Sequence, residues 1–332
     1  MNRKKLRMLV LSRDEVVKTV DIMGFSELID AVETGQQQWG NGQAISLPAV
    51  RVDVDDQRCF YSYPACMKPS NLAGSVWLGM FPDNPAKYGL PVVLGIQIVS
   101  DTTNGAPLAV MERSRVTEAV TASFSALGAK YLAAKGSKSV GIIGCGAQGR
   151  THLQALNEVL SIEEITVFDI RKEALSNYIA EMSRKIGKEI RPARSGEEVV
   201  RNSDVVAVTT RPTPPIVKTQ HMRPGALIIA GACAGAELYD DVFDSVDTMV
   251  GDDWQNIKGM PEYAERLSKG IIKKDYDLEL GKIEAGRQTG RKSDDEKIVF
   301  LHVGMAVNHV AGAYAIYNVA KKKGLGKEID IL

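Results

Sequence analysis

Apolar and polar positions alternate along the chain in two different ways, which predict two regions of different architecture. In the first third, short apolar runs separated by turn signals predict a mainly antiparallel sheet. One helix is predicted within it, because apolar residues recur at helical spacing between Asp21 and Gln37. The strongest turn signal is the Asp-Thr-Thr-Asn-Gly segment at 101–105, which separates two apolar runs.

The remainder of the chain alternates strand-like and helix-like segments. An alanine-rich helix is predicted at 117–134, and it leads into a buried strand at 139–143. Further helices are predicted at 147–160 and 171–186, and a last long helix at 303–323. Strands that alternate with helices of this length predict a parallel sheet with right-handed crossovers. The fold class is therefore predicted to be α/β.

A glycine motif follows the first strand of the alternating region. The run 139–143 leads into Gly-x-Gly-x-x-Gly, formed by Gly144, Gly146 and Gly149, and a second apolar run ends at Asp169. Such glycines allow a sharp turn, close approach of a pyrophosphate and tight packing of helix on strand. The free N–H groups at the helix N-terminus favour phosphate. The order of elements predicts a Rossmann dinucleotide-binding domain; the alternative is a tight turn that binds nothing.

The acidic residue after the second strand bears on the choice of cofactor. A 2′-phosphate would meet the negative charge of Asp169, which favours NAD(H). Arg171 and Lys172 follow closely and are able to accommodate that phosphate, so NADP(H) stays open. Thr209 and Thr210 end the fourth strand and are expected to line the path from adenosine to nicotinamide. The predicted cofactor-binding residues are Gly144, Gly146, Ala147, Gln148, Gly149, Asp169, Arg171, Thr209 and Thr210.

Composition narrows the possible partners and location. The chain has 332 residues, of which 41 are Lys or Arg and 41 Asp or Glu, and this balance gives no support to a nucleic-acid partner. Its apolar runs are too short for a membrane span, and no secretory signal pattern is recognised. The four cysteines show no metal-ligand spacing. A cytoplasmic protein with reduced thiols and no metal is expected.

Several segments together resemble the ornithine cyclodeaminase/mu-crystallin family. The resemblance covers nearly the whole chain in one order, and its segments lie at 81–91, 101–107, 125–133, 143–148, 237–238 and 304–306. It implies a Rossmann domain at 118–305 and a mixed α+β domain made of 1–117 and 306–332. The resemblance also implies that the mixed domain binds substrate and forms a homodimer through its sheet.

The resemblance implies hydride exchange at a carbon–nitrogen bond, as in ornithine cyclodeaminases, alanine dehydrogenases and ketimine reductases. Family members that act on amino acids hold the α-carboxylate with basic side chains. Here Val76 stands at a lysine position and Val120 at an arginine position, while Arg51 remains. The nearest match to the catalytic aspartate of the cyclodeaminases is Ala232.

These departures predict a pocket for a substrate that lacks a carboxylate. A buried carboxylate without cations or donors costs several kcal/mol. The valines favour an alkyl or aryl group instead, so a small ketone, imine or amine is the expected partner. In the alternative, Lys68, Arg113 or Arg115 reaches into the pocket and an amino-acid enzyme is intact. Trp77 is expected to wall the pocket or to fill the sheet core.

Proton transfer is needed only if the enzyme also forms the imine. Hydride transfer to a protonated iminium requires positioning in a water-poor cleft but no general acid. Carbinolamine dehydration does require one, and the candidates are Tyr61, Lys68 and His302. Alternatively, Tyr61 is a sheet residue with its hydroxyl in water, Lys68 is a solvated loop charge, and His302 caps a helix that it starts.

Three functions follow from the sequence. The first is an NAD(P)H-dependent oxidoreductase that reduces imines or iminium ions to amines, by reductive amination or in the reverse direction as an amine dehydrogenase. The second is an ornithine cyclodeaminase, an alanine-type dehydrogenase or a ketimine reductase. The third is a non-catalytic NAD(P)H- or hormone-binding protein of the mu-crystallin type.

Overall fold

A computed structural model describes residues 5–210, 212, 214–231 and 235–332. Its internal contacts divide the chain into two compact units. The first unit comprises Met1–Val120 and Met305–Leu332, and the second comprises Thr121–Gly304.

The first unit is built on an eight-stranded mixed sheet. Its strands are β1 (Arg7–Leu11), β2 (Ala44–Ser46), β3 (Val50–Asp53), β4 (Cys59–Met67), β5 (Leu72–Met80), β6 (Val93–Asp101), β7 (Pro107–Glu112) and β15 (Lys327–Asp330). The order is β15-β1-β7-β6-β5-β4-β2, and β3 also pairs with β4. β1 and β7 run parallel and the other pairs antiparallel. The predicted mainly antiparallel sheet is therefore confirmed.

Helices cover one face of this sheet, namely α1 (Arg13–Gly40) and α11 (Ala306–Lys322). The unit also contains α2 (Asn84–Tyr88) and the start of α3 (Arg113–Leu132). α1 begins earlier than predicted because Ser12 and Glu15 form a capping box. Gly24, at φ +73°, joins its two helical halves. A Cβ on Gly74 would lie 3.0 Å from Val310 of α11, so α11 packs on the face to which even-numbered β5 residues point.

Directly paired residues of neighbouring strands share a face of the sheet. Tyr63, Val76 and Gln97 form one such row on the helix-covered face. The next residue of β5, Trp77, pairs with Ser62 and Ile96 and points to the opposite face. We call this opposite side the bare face. Six large apolar side chains of this face are 38–54% exposed, namely Ile45, Val50, Val52, Trp77, Leu94 and Ile96.

The second unit contains a seven-stranded parallel sheet. Its strands are β8 (Ser139–Ile143), β9 (Glu164–Phe168), β10 (Arg191–Pro192), β11 (Val205–Val208), β12 (Leu227–Ala230), β13 (Thr248–Gly251) and β14 (Ile298–Leu301). Their order is β10-β9-β8-β11-β12-β14-β13. The order reverses between β8 and β11, which is where ligands bind in sheets of this kind. The α/β class and the Rossmann arrangement are confirmed.

Helices alternate with these strands as the sequence predicts. They are α4 (Ala147–Val159), α5 (Lys172–Ile186), α6 (Gly196–Asn202), α7 (Asp240–Ser245), α8 (Trp254–Lys258), α9 (Pro261–Ser268) and α10 (Leu280–Glu284). The last long helix was expected from Val303, but α11 begins at Ala306. The N–H groups of Val303 and Gly304 donate instead to Asp252 Oδ2, each at 2.8 Å. Gly304 also adopts φ +94°, outside the helical region.

The described residues offer neither a membrane-spanning helix nor a cluster of metal ligands. None of the helices in them is long and apolar enough to cross a membrane. No three His, Cys, Asp or Glu side chains in this part of the chain are grouped to hold a metal ion. Cys59, Cys66 and Cys145 are free thiols.

Candidate dinucleotide site and active-site residues

The glycine motif forms a tight cradle between β8 and α4. Gly144 follows β8 at φ +105°, and a Cβ there would lie 2.9 Å from Thr209 Oγ1. The hydroxyl of Thr209 donates to Gly144 O at 2.9 Å. A Cβ on Gly149 would overlap the same carbonyl oxygen, so only glycine lets α4 pack this closely. Gly146 differs, because its Cβ would point into open space at the N-terminus of α4. That space suits a pyrophosphate.

Asp169 lies at the end of β9, beside the glycine turn. Its side chain is 8% exposed. Its oxygens accept from the N–H groups of Cys145 and Arg171, both at 2.8 Å. The carboxylate is therefore fixed where a ribose would lie. Burial and the charge of Asp169 raise the pKa of the Cys145 thiol to about 12, so this thiol is no nucleophile at neutral pH.

A cavity of about 370 Å³ opens beside Gly144, Asp169 and Thr210. Its walls are largely apolar, since Phe168 and Ile170 line it together with prolines and isoleucine from the 212–216 segment. Apolar walls with a few polar groups are typical of small-molecule sites. The cavity, the cradle and Asp169 together fit the adenosine and pyrophosphate of a dinucleotide.

A buried hydrogen-bonded relay lies in the same unit. Ser125 Oγ lies 2.9 Å from His152 Nε2 and 3.0 Å from His302 Nε2, and His152 Nδ1 lies 2.7 Å from Gln148 O. A carbonyl oxygen only accepts, so His152 carries its proton on Nδ1. Ser125 therefore donates to His152 and accepts from His302. Burial lowers the pKa of His152 to about 4 and that of His302 to about 3, so both rings are neutral.

His302 does not start a helix, contrary to the sequence prediction. It follows β14, is 1% exposed, and lies against the rings of Phe124 and Phe300, with centroids 5.3 and 5.0 Å away. A Cβ on Gly231 would collide with its Nε2, so the imidazole packs directly against the end of β12. The N-cap of α11 is Met305, which excludes the capping role.

Two predicted site residues of the first unit lie side by side. Arg51 pairs with Tyr61 across β3 and β4, on the helix-covered face, and its guanidinium lies 5.8 Å from the tyrosine ring. Arg51 Nε also donates to Asp53 at 2.6 Å. Burial raises the pKa of Tyr61, so its hydroxyl is protonated at neutral pH. Arg51 and Tyr61 together offer a cation and a proton donor.

Two other predicted residues do not join this group. Lys68 is exposed in the turn after β4. It follows Tyr61 by seven positions, or about 23 Å along a strand, so the two do not serve one reacting centre. Trp77 is 43% exposed on the bare face, so it does not share a pocket with Val76 on the opposite face. Ala232 lies outside the described residues.

The two valines at the family's cationic positions are buried. Val76 is 2% exposed and Val120 is 1% exposed. A Cβ on Gly312 would collide with a methyl group of Val120, so this valine packs between α3 and α11. Val120 is thus held by helix packing, whereas Val76 contributes apolar surface to the row of Tyr63 and Gln97.

Comparison with known proteins identifies chains that are similar to this one over nearly their whole length. The model of the ornithine cyclodeaminase/mu-crystallin family matches residues 8–324. An alanine dehydrogenase from Archaeoglobus fulgidus is 33% identical over 328 residues, covering 97% of this chain and 98% of that protein.

Solved structures show the same likeness in three dimensions. A Δ1-pyrroline-2-carboxylate reductase from Thermococcus litoralis, in complex with NADH and L-proline, has a TM-score of 0.87 and 31% identity, over 97% of this chain and 100% of that one. An archaeal alanine dehydrogenase dimer with bound NAD has a TM-score of 0.89 and 31% identity, over 98% and 100%.

Proposed function

The chain belongs to the ornithine cyclodeaminase/mu-crystallin family, and we propose that it is an NAD(H)-dependent oxidoreductase that reduces imines or iminium ions to amines. The observation that carries the proposal is the glycine cradle with Asp169 fixed beside it, at the reversal point of a parallel sheet. The similar reductase binds NADH and L-proline, which contains the secondary amine expected from imine reduction.

The cradle would hold the cofactor through its glycines and the N-terminus of α4. Gly146 leaves space for the pyrophosphate, and Asp169 would accept from the ribose hydroxyls. A bound nicotinamide supplies the hydride. NAD(H) is favoured because the carboxylate of Asp169 repels a 2′-phosphate, while Arg171 and Lys172 keep NADP(H) as the alternative.

The chain's own groups bind and orient rather than supply chemistry in the hydride step. The relay of Ser125, His152 and His302 links the carbonyl of Gln148, at the start of α4, to the end of β14. It fixes both neutral rings in one tautomer, so it adds no positive charge that would oppose an iminium ion. Tyr61 remains the candidate proton donor for imine formation.

A substrate panel tests the proposal. Purified protein is mixed with NADH or NADPH and with cyclic imines, or with ketones plus ammonium, and consumption of the cofactor is followed by absorbance. Turnover with NADH is expected for at least one imine. Tight NADH binding without turnover of any imine contradicts the proposal and favours the non-catalytic alternative.

The assembly and location also belong to the proposal. The exposed apolar side chains of the bare face support a homodimer formed through this sheet, and the archaeal alanine dehydrogenase is a dimer. The three free thiols in the described part of the chain support a reducing, cytoplasmic environment.

A further inference from the structure

Arg113, the first residue of α3, forms no ion pair with a carboxylate in the described part of the chain, although Glu112 and Glu118 act on its charge from a greater distance. Its one described hydrogen bond runs from Nη2 to Thr117 Oγ1 at 2.8 Å, and its Nε is enclosed without an acceptor. Burial lowers its pKa, yet a guanidinium stays charged at neutral pH. Nearby Arg115 is different, because Asp21 and Glu118 lie 3.8 and 3.4 Å from its guanidinium nitrogens.

The surrounding acids are engaged elsewhere. Glu112 accepts from the backbone N–H groups of Ser114 and Arg115, and Glu118 pairs with the Arg115 side chain. A partly buried cation without a paired carboxylate is costly to fold. Such a group is retained where a bound anion completes it.

Arg113 lies on the helix-covered face, next to the row of Tyr63, Val76 and Gln97. A Cβ on Gly95 would lie 2.9 Å from Arg113 Cδ, so glycine at this position makes room for the arginine stem. Gly95 lies two positions before Gln97 on β6, and residues two apart on a strand point to the same face. The arginine stem therefore lies on the face of the sheet to which Val76 points.

Further polar atoms around this point lack partners. Gln97 Oε1 and His309 Nδ1 are enclosed without a hydrogen bond, although Gln97 Nε2 donates to His309 O. Burial, with the charge of Arg113, lowers the pKa of His309 to about 3, so His309 is neutral and supplies no second charge. Burial raises the pKa of Tyr63, whose hydroxyl is therefore protonated and available to donate.

We propose that Arg113 is a specificity-determining residue that binds a carboxylate of the substrate, so that the reacting carbon–nitrogen bond belongs to an amino or imino acid. This inference rests on the proposed function and names its substrate class. A planar guanidinium donates two parallel N–H groups to the two oxygens of a carboxylate. An alkyl group has no acceptor for these hydrogen bonds. The carboxylate-free substrate expected from Val76 and Val120 alone is then the competing outcome.

The test compares two imines that differ only at the proposed contact. They are Δ1-pyrroline-2-carboxylate and 2-methyl-1-pyrroline, in which a methyl group replaces the carboxylate. With NADH, the unmodified protein is expected to prefer the carboxylate in kcat/KM. Arg113→Met is expected to lower kcat/KM for the carboxylate roughly 10- to 100-fold, and to leave the methyl compound nearly unchanged.

Two further variants separate charge recognition from structure. Arg113→Lys keeps a cation and is expected to restore part of the carboxylate preference. Arg115→Met removes an ion-paired arginine from the same helix and is expected to leave the preference unchanged. NADH affinity, measured by fluorescence, reports whether each variant is folded.

The outcomes distinguish this inference from the proposed function. An unchanged preference in Arg113→Met with normal NADH binding overturns the inference, and so does a preference of the unmodified protein for the methyl compound. If the unmodified protein reduces neither these two imines nor any other imine of the substrate panel, the proposed function fails. Carboxylate binding is then read from the thermal shift that L-proline causes, which must be lost in Arg113→Met and kept in Arg115→Met.

Discussion

At the scale of single residues, the carboxylate of Asp169 is expected to govern the choice between the two nicotinamide cofactors. Asp169→Ser keeps an acceptor for a ribose hydroxyl but removes the charge that repels a 2′-phosphate. The ratio of NADPH to NADH affinity is expected to rise at least about tenfold, which is about 1.4 kcal/mol. Fluorescence titration of both cofactors measures it.

Arg171→Ala is the companion variant for that titration. Its guanidinium is 70% exposed and 3.6 Å from Asp169, so its removal from the unmodified protein is expected to change NADH affinity little. In the Asp169→Ser background, Arg171→Ala should weaken the binding of NADPH. A preference of the unmodified protein for NADPH would contradict the role given to Asp169.

Residues differ in how far their roles could be predicted from the sequence. The tight turn at Gly144 and Gly149 and the place of Asp169 beside it could be predicted, because the motif lies in a short, nearly continuous segment. The partner of His302 could not, because Ser125 lies 177 positions away and only the fold brings them to 3.0 Å. The unpaired state of Arg113 is likewise invisible in the sequence, where Glu112 and Glu118 look like partners.

At the scale of elements, the two glycines that frame the start of α4 have different tasks. A Cβ on Gly149 would overlap Gly144 O, so Gly149→Ala must push α4 away from β8. A lower melting temperature and weaker NADH binding are expected. Gly146→Ala places its methyl group in open space, so the melting temperature should be unchanged. The affinity for NADH should fall, because the methyl group occupies the space proposed for the pyrophosphate. Equal melting temperatures for the two variants would contradict this division.

The relay between α3, α4 and β14 predicts a stability loss in acid. His152 and His302 bind protons in the folded protein only near pH 4 and pH 3, but near pH 6.5 when unfolded. The unfolded state therefore binds more protons between these values. The contribution of the two neutral histidines to the free energy of unfolding is fully present above pH 6.5 and falls as the pH is lowered. Each histidine contributes up to about 1.4 kcal/mol per pH unit.

His302→Gln isolates this effect, because glutamine still donates to Ser125 but does not titrate. The free energy of unfolding is measured with urea at about pH 7 and about pH 5. Its decrease between these pH values should be roughly 2 kcal/mol smaller in the variant than in the unmodified protein. The same loss in both proteins would mean that His302 is protonated in the folded state.

Element types were predictable where periodicity is strong, and contacts between elements were not. α4 and β9 end within one residue of the predicted positions, because glycine and apolar signals lie inside them. β15 pairs with β1 from the other end of the chain, so the local sequence pattern does not predict this pairing. The start of α11 is set by Asp252, whose contact with Val303 and Gly304 spans some fifty positions.

At the scale of the whole molecule, two separate tasks fall to the two units. The second unit supplies the dinucleotide cradle and its relay, which follow general rules of parallel sheets. In the proposed function, the first unit would bind the substrate through Arg51, Tyr61 and Arg113 on the helix-covered face. The bare face of the same sheet exposes large apolar side chains, which support the proposed homodimer.

That bare face predicts the oligomeric state. An exposed apolar surface of this kind on a sheet is typical of a protein interface, so a homodimer is expected in light scattering at micromolar concentration. Ile96→Glu places a charge in the middle of the face, where burial against a partner without a counter-charge is costly. This variant should be largely monomeric. Ile22→Glu is the matched control, since Ile22 is 44% exposed on α1 and Ile96 41% exposed on the sheet. The control should remain a dimer, and dissociation of both variants, or of neither, would place the interface elsewhere.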